Sequence, residues 1–312
     1  MNSKKITLIG LGGVGGYFGF KIAQLIEDNP NYKITFVARN ETYEIVKKNG
    51  LTLLSSEHTR SVAKPSNIIN NFDEIEESDL ILICVKEYDL ENVCNQIKDK
   101  ITKNTTVMAL MNGADIYERV RHIIKNGTFL PSCVYVASHI KEKGIVEHTG
   151  NTGKIIIGKD PVNQETDTKW IIDIFNNSGA DITFKQNSFV DIWTKFFFIA
   201  SFGLVSARYN KSIGQVGEED FLKQRATQIM EEIQLITTKI KIDLPADIIR
   251  KTFEKGLSFP YATPTSLQLD VNSKKKNNEL ELFAGAIINY GKQLGVKTEE
   301  TKKIYKEINQ IV

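Results

Sequence analysis

Cysteine is scarce in this chain: Cys84, Cys94 and Cys133 are the only three among 312 residues. Three are too few for a disulfide framework, and the spacing from Cys84 to Cys94 fits no metal-binding motif. Each reads as a small apolar residue of the interior. The odd count fits a reducing compartment, so a cytoplasmic location without a metal site is the expectation. Charge of one sign is not in excess either, since 40 Lys+Arg face 38 Asp+Glu for a net charge of +2. A nucleic-acid binder usually carries a strong basic bias or stripe, so no nucleic-acid partner is expected. Long apolar runs are missing as well. The most apolar stretch, Phe196–Ala207, is short of the ~20 residues a membrane span needs. It reads as a buried helix of a soluble protein, and no membrane partner is expected. The opening MNSKKITLIG has no apolar core followed by a small-residue cleavage site, so no signal peptide is expected.

What is present is ordinary globular material, 41% hydrophobic and 25% charged. The length suggests two domains. In the first half, short apolar runs alternate with amphipathic stretches. Ile6–Ile9, Ile34–Val37, Leu51–Leu54, Leu80–Val85, Thr105–Leu110, Leu130–Ala137 and Ile155–Ile157 read as strands. Residues 14–27 and 41–49 read as helices. Such alternation implies crossover units and a mostly parallel sheet. From about Asn187 the pattern turns helical, with apolar periodicity over 191–207, 219–240, 245–256 and 278–294, a stop at Gly295, and a further helix over 298–310. The expected organisation is an α/β N-terminal dinucleotide-binding Rossmann domain over residues 1–187. An all-helical C-terminal domain follows over 188–312.

The sharpest local signal is Gly10-Leu11-Gly12-Gly13-Val14-Gly15, placed directly after a strand and opening a helix. In that context the pattern points to a dinucleotide site. Gly10 would permit the tight turn, Gly12 the approach of the pyrophosphate, and Gly15 the close packing of helix on strand. Backbone N–H groups and the helix dipole would then favour the phosphate charge. The second strand ends in Arg39, followed by Asn40 and, close by, Glu41. A carboxylate there would bond the ribose hydroxyls of NAD, whereas a guanidinium can pair with a 2′-phosphate. The expected cofactor is NADP(H).

These residues, together with Val85-Lys86, Asn112-Gly113, the hairpin-like Gly144–Gly150, the helix start Asp191-Ile192-Trp193-Thr194-Lys195, and the segment Thr265–Asp270 followed by Glu279, resemble the ketopantoate reductase (2-dehydropantoate 2-reductase) family almost end to end. The resemblance implies reduction of 2-dehydropantoate to (R)-pantoate with NADPH, a step toward pantothenate and coenzyme A. It implies Lys195 as the general acid and Glu279 as the acid that contacts the substrate hydroxyl and the cofactor side. It implies Ser266 on the substrate carboxylate, and Lys86 and Asn112 lining the nicotinamide and ribose side. Glu281 is a rival to Glu279, because the interval from Asp270 is one residue longer than is usual in the family. Lys195 also stands out on its own terms. It sits between Trp193 and Phe196-Phe197-Phe198, where partial desolvation would favour loss of its proton.

The chain departs from the family where asparagines commonly stand one and two helical turns after the lysine. Here those positions are Ile199 and Gly203, and a later asparagine is replaced by Ile213, with Asn210 nearby. Three readings follow. The first is an NADPH-dependent reductase of 2-dehydropantoate. The second keeps the fold and the chemistry with a different, more apolar 2-oxo acid. The third is a non-catalytic NADP(H)-binding sensor. Apolar surface on the C-terminal helices would suit a homodimer. His58, His122, His139 and His148 carry no ligand-like spacing, and His148 reads as structural.

Overall fold

A computed structural model describes residues 3–56, 60–150, 152–163 and 167–312. His58 lies outside the described residues. The chain divides into two compact units, one of residues 1–112 and 116–188, the other of residues 113–115 and 189–312.

The first unit runs β1 (Lys4–Ile9), α1 (Gly13–Ile26), β2 (Tyr32–Val37), α2 (Asn40–Asn49), β3 (Leu51–Leu54), β4 (Ser61–Ala63), β5 (Asn67–Ile69), β6 (Leu80–Ile83), α3 (Glu87–Ile97), β7 (Thr106–Ala109), α4 (Ile116–Ile123), β8 (Thr128–Phe129), β9 (Ser132–Tyr135), β10 (Ser138–Glu142), β11 (Ile145–His148), β12 (Lys154–Gly158), α5 (Lys169–Asn177) and β13 (Asp181–Lys185). Six strands form one parallel sheet in the order β5-β2-β1-β6-β7-β8. Ile6 of β1 stands beside Ile34 on one flank and Leu80 on the other. All four residues of β6 are buried, as a sheet covered on both faces requires. The strand order reverses at β1, the position where ligands bind in open α/β sheets.

Helix α1 is buried around most of its circumference, from Gly15 to Ala23. A helix that is apolar all round needs cover on every side. The cover comes from β1 and β2 on one side and from a second sheet, β10-β11-β3-β4, on the other. An added Cβ at Gly16 would lie 2.3 Å from Val146 Cγ2 of β11, so the contact is backbone-close. The hairpin read at Gly144–Gly150 is the β10–β11 pair, and its second strand also pairs in parallel with β3. A third sheet, β13-β12-β9, completes the unit.

Two strand expectations change. The strand read over Leu130–Ala137 is the shorter β9 (Ser132–Tyr135), which lies in a different sheet from the preceding β8, with Leu130 and Pro131 between them. Proline has no N–H to donate to a ladder, and here its carbonyl accepts from the Gly158 N–H at 2.8 Å and the Ser188 hydroxyl at 2.9 Å. Leu80–Val85 ends as a strand at Ile83, so that Cys84 and Val85 face the glycine loop.

The second unit is helical: α6 (Phe189–Tyr209), α7 (Ile213–Glu218), α8 (Asp220–Lys239), α9 (Ile248–Leu257), α10 (Ser266–Asn272), a π-helical turn at Glu281–Gly285 leading into α11 (Ala286–Leu294), and α12 (Glu299–Asn309). The helix expected over 278–294 therefore begins as a π turn, and α11 ends before Gly295. Helix α6 is longer than its apolar run, with 21 residues. By length and composition it could cross a membrane, but 61% of its most apolar window is buried within the protein. It packs against α8, α10 and α12, and its Trp193, Phe196, Phe197 and Phe202 are all essentially buried. Burying each such side chain contributes about 1.5–3 kcal/mol.

Candidate active site

The glycine loop has the local geometry its residues suggest. Gly10 takes φ +94°, a left-handed conformation that a residue with a Cβ resists, and its N–H donates to Val37 O at 3.1 Å. A Cβ at Gly15 would fall 2.0 Å from Gly10 O and 2.7 Å from Cys84 Cβ, so α1 lies flush on the sheet. Gly12 is different. It is the N-cap of α1 with an ordinary φ of −73°, and a Cβ there would meet nothing nearer than Cys84 O at 4.0 Å. No side chain caps α1. Its first N–H groups thus face an open approach at the positive end of a helix dipole, which suits a phosphate. Gly13 has a role the sequence did not suggest: a Cβ would lie 2.4 Å from Ser138 O, so β10 comes up against the loop. Leu11 is buried and Val14 is partly buried against the core.

The other proposed cofactor positions each follow one strand of the same sheet. Arg39 follows β2 and is the N-cap of α2. Lys86 follows β6 and is the N-cap of α3, exposed. Asn112 follows β7 and is half-buried. In the spatial order β2-β1-β6-β7, Arg39, the glycine loop, Lys86 and Asn112 therefore stand side by side along the carboxyl edge. The Arg39 guanidinium is paired with Asp89 in the first turn of α3, at 2.8 Å from Nη2 to Oδ2. Asp89 escaped the sequence reading. Its signal was an acid three residues past Lys86, after a strand adjacent to the glycine loop.

In the helical unit, α6 carries Asp191 in its first turn and Lys195 one turn later. Lys195 is half-buried, with Trp193, Phe196 and Phe197 buried beside it. Ile199 and Gly203 follow at four-residue steps, on the same side of the helix. Ile199 is half-buried, and a Cβ at Gly203 would touch only the Phe283 ring, at 3.9 Å. Glu279 is buried at 4% exposure, whereas Glu281 is exposed and accepts a hydrogen bond from the Tyr305 hydroxyl. That carboxylate holds the Tyr305 phenol above its usual pKa, chiefly through the hydrogen bond. Ser266 is exposed in the first turn of α10. The cap of that helix is Thr265, in a reciprocal pair with Gln268. Asp270 is mostly buried and accepts from Lys275 Nζ at 2.6 Å. Asn210 ties α6 to α10, accepting from Gln268 Nε2 at 3.0 Å.

The cysteines and His148 are structural in the geometry as well. All three cysteines are buried thiols. Burial pushes the Cys84 and Cys94 thiols up to about 12. His148 is buried and stacks on Tyr17, with ring centroids 4.3 Å apart.

Comparison with known proteins places this architecture. The sequence pattern of the ketopantoate reductase PanE/ApbA family matches residues 6–161, and that of the ketopantoate reductase PanE/ApbA C-terminal region matches residues 188–312. A 2-dehydropantoate 2-reductase of Aquifex aeolicus is 24% identical over 97% of this chain and 96% of its own. A PanE/ApbA family ketopantoate reductase from Ralstonia eutropha has a similar fold, with a TM-score of 0.86, 21% identity and 98% of each chain covered. D-mandelate dehydrogenase, solved with NADH and anilino(oxo)acetate, is also similar in fold, with a TM-score of 0.83, 20% identity and 98% of each chain covered. With both family patterns matched and the sheet, loop and helical unit in place, the chain is an oxidoreductase of the ketopantoate reductase family.

Proposed function

We propose that this chain reduces a 2-oxo acid with NADPH, and that 2-dehydropantoate is the first candidate substrate. The observation that carries the cofactor half is the row of Arg39, the glycine loop, Lys86 and Asn112 along one sheet edge, with an open, uncapped helix N-terminus at its centre. In this reading residues 1–187 are the cofactor domain and 188–312 the substrate domain. Gly10 to Gly15 with the first turn of α1 hold the pyrophosphate, and Arg39 pairs with the 2′-phosphate. Lys86 and Asn112 line the nicotinamide and ribose side.

When bound, the reduced nicotinamide supplies the hydride. The chain's own residues do the rest. As the carbonyl carbon gains the hydride pair, the C=O π electrons move to oxygen, and the Lys195 ammonium donates its proton there. Lys195, half-buried on α6, is the proton donor in this reading. Glu279 accepts the hydrogen bond of the substrate hydroxyl. Its burial favours it over Glu281, which is exposed and tied to Tyr305. Ser266 bonds the substrate carboxylate.

A second reading is favoured by one feature of α6. Ile199 offers no hydrogen bond, and Gly203, buried beside the Phe283 ring, has no side chain to offer one. An apolar or aryl 2-oxo acid fits such a lining better than a polyhydroxylated one. The fold likeness to a D-mandelate dehydrogenase solved with anilino(oxo)acetate supports that reading. The test is oxidation of NADPH, followed by nicotinamide absorbance, with 2-dehydropantoate, 2-oxoisovalerate and phenylglyoxylate. Efficient saturable turnover of 2-dehydropantoate is the expected result. Turnover of only the plainer acids would move the assignment to the second reading. Cofactor binding with no turnover of any would overturn both.

A further inference from the structure

The Arg39 guanidinium and the Asp89 carboxylate meet fork to fork, at 2.8 Å on one side and 3.5 Å on the other. The pair is open to water, with 60% of the Arg39 side chain and 25% of the Asp89 side chain exposed. Such pairs contribute little to stability, so the fold alone does not account for it. Its position does. Arg39 follows β2 and Asp89 follows β6, and these strands flank β1. The two side chains therefore bridge over the end of β1, along the edge where the adenosine ribose of a dinucleotide lies.

We propose that Asp89 is a specificity-determining residue that narrows the preference for NADPH over NADH. The proposal rests on the reading of Arg39 as the group that pairs with a 2′-phosphate and goes beyond it. A 2′-phosphate brings a charge of about −1.5 to −2. To take the Arg39 fork it must displace the Asp89 carboxylate and then lie beside it, like charge against like. A ribose 2′-hydroxyl meets no such repulsion. It can donate to Asp89 Oδ1, whose contact with Arg39 is the longer of the two. The carboxylate thus weakens one dinucleotide and favours the other. Were Asp89 only a tether that aims Arg39 at the phosphate, its removal would weaken NADPH instead.

The test is direct titration of NADPH and NADH, followed by nicotinamide fluorescence, with the full-length wild type, Asp89→Asn and Arg39→Ala, at low and high salt. Asp89→Asn keeps the size and removes the charge. It is expected to tighten NADPH about five- to tenfold, the scale of one exposed charge pair in contact, and to leave NADH equal or weaker. The gain should shrink at high salt, as an electrostatic effect must and a packing effect need not. An unchanged or reduced NADPH:NADH affinity ratio in Asp89→Asn would overturn the proposal. Arg39→Ala separates the two layers. Equal losses for both dinucleotides would overturn the reading of Arg39 itself. A selective loss of NADPH there, with no ratio change in Asp89→Asn, would overturn only the role of Asp89.

Discussion

Single residues of the glycine loop divide into those the backbone needs and those a ligand needs. Gly15 belongs to the first kind, with Gly10 O only 2.0 Å from where a Cβ would stand. Gly12 belongs to the second, with an ordinary φ and nothing within 4.0 Å. Gly15→Ala should therefore destabilise the protein by about 1–3 kcal/mol through overpacking. Gly12→Ala should leave the melting temperature nearly unchanged while weakening NADPH tenfold or more. Thermal melts and cofactor titrations of the two variants check this, and a Gly12→Ala variant that binds normally would remove Gly12 from the site. Glycine spacing pointed to both residues from the sequence, because an absent side chain has the same signature whatever it makes room for. The pairing of Arg39 with Asp89 was not legible in the same way. Fifty residues separate the two, and only the neighbouring positions of β2 and β6 around β1 bring them together.

Elements were legible where their apolar pattern was strong. The parallel strands β1, β2, β6 and β7 and the helices α1, α2, α6, α8 and α12 follow from periodicity, and their ends shift by a few residues at most, whereas the short parallel strands β5 and β8 carried no such pattern. The change of sheet between β8 and β9 and the π turn at Glu281–Gly285 were not legible, since each depends on what the segment packs against. The start of α12 shows the same dependence. No side chain of its own caps it. Instead Glu232 of α8 accepts from the Glu300 N–H at 2.7 Å, the Thr301 N–H at 3.1 Å and the Thr301 hydroxyl at 2.6 Å. Removing the carboxylate strands buried donors, so Glu232→Ala should cost about 1–3 kcal/mol. Burial holds the Glu232 carboxyl above its usual pKa, against the lowering effect of those donors. A carboxyl raised in the folded state binds its proton more tightly there than in the unfolded chain. Its contribution to stability is therefore largest under acid conditions and falls as pH rises through that window. Urea unfolding of wild type and Glu232→Ala at mildly acidic and at neutral pH should show the difference between them narrowing toward neutrality. A constant difference would contradict the raised pKa.

For the whole molecule, cofactor binding and chemistry should separate cleanly. A ligand bound only by the folded state stabilises it by about 2.7 kcal/mol at a hundredfold excess over its Kd. Excess NADPH should then raise the melting temperature of wild type and of Lys195→Ala by similar amounts. Turnover in Lys195→Ala should nonetheless fall by a hundredfold or more. A variant that keeps turnover would remove Lys195 from the proton-transfer role, and a wild type with no thermal shift would remove NADPH as ligand. The sequence by itself determined the α/β half, the helical half, the glycine loop and the family, because strand and helix periods, glycine spacing and short motifs are local properties of the chain. Only the tertiary structure decided that α1 is enclosed between two sheets, that Glu279 is buried while Glu281 is exposed, and that Asp89 occupies the fork of Arg39. Burial and charge pairing between residues far apart in sequence depend on which surfaces the folded chain brings together, and no local pattern encodes them.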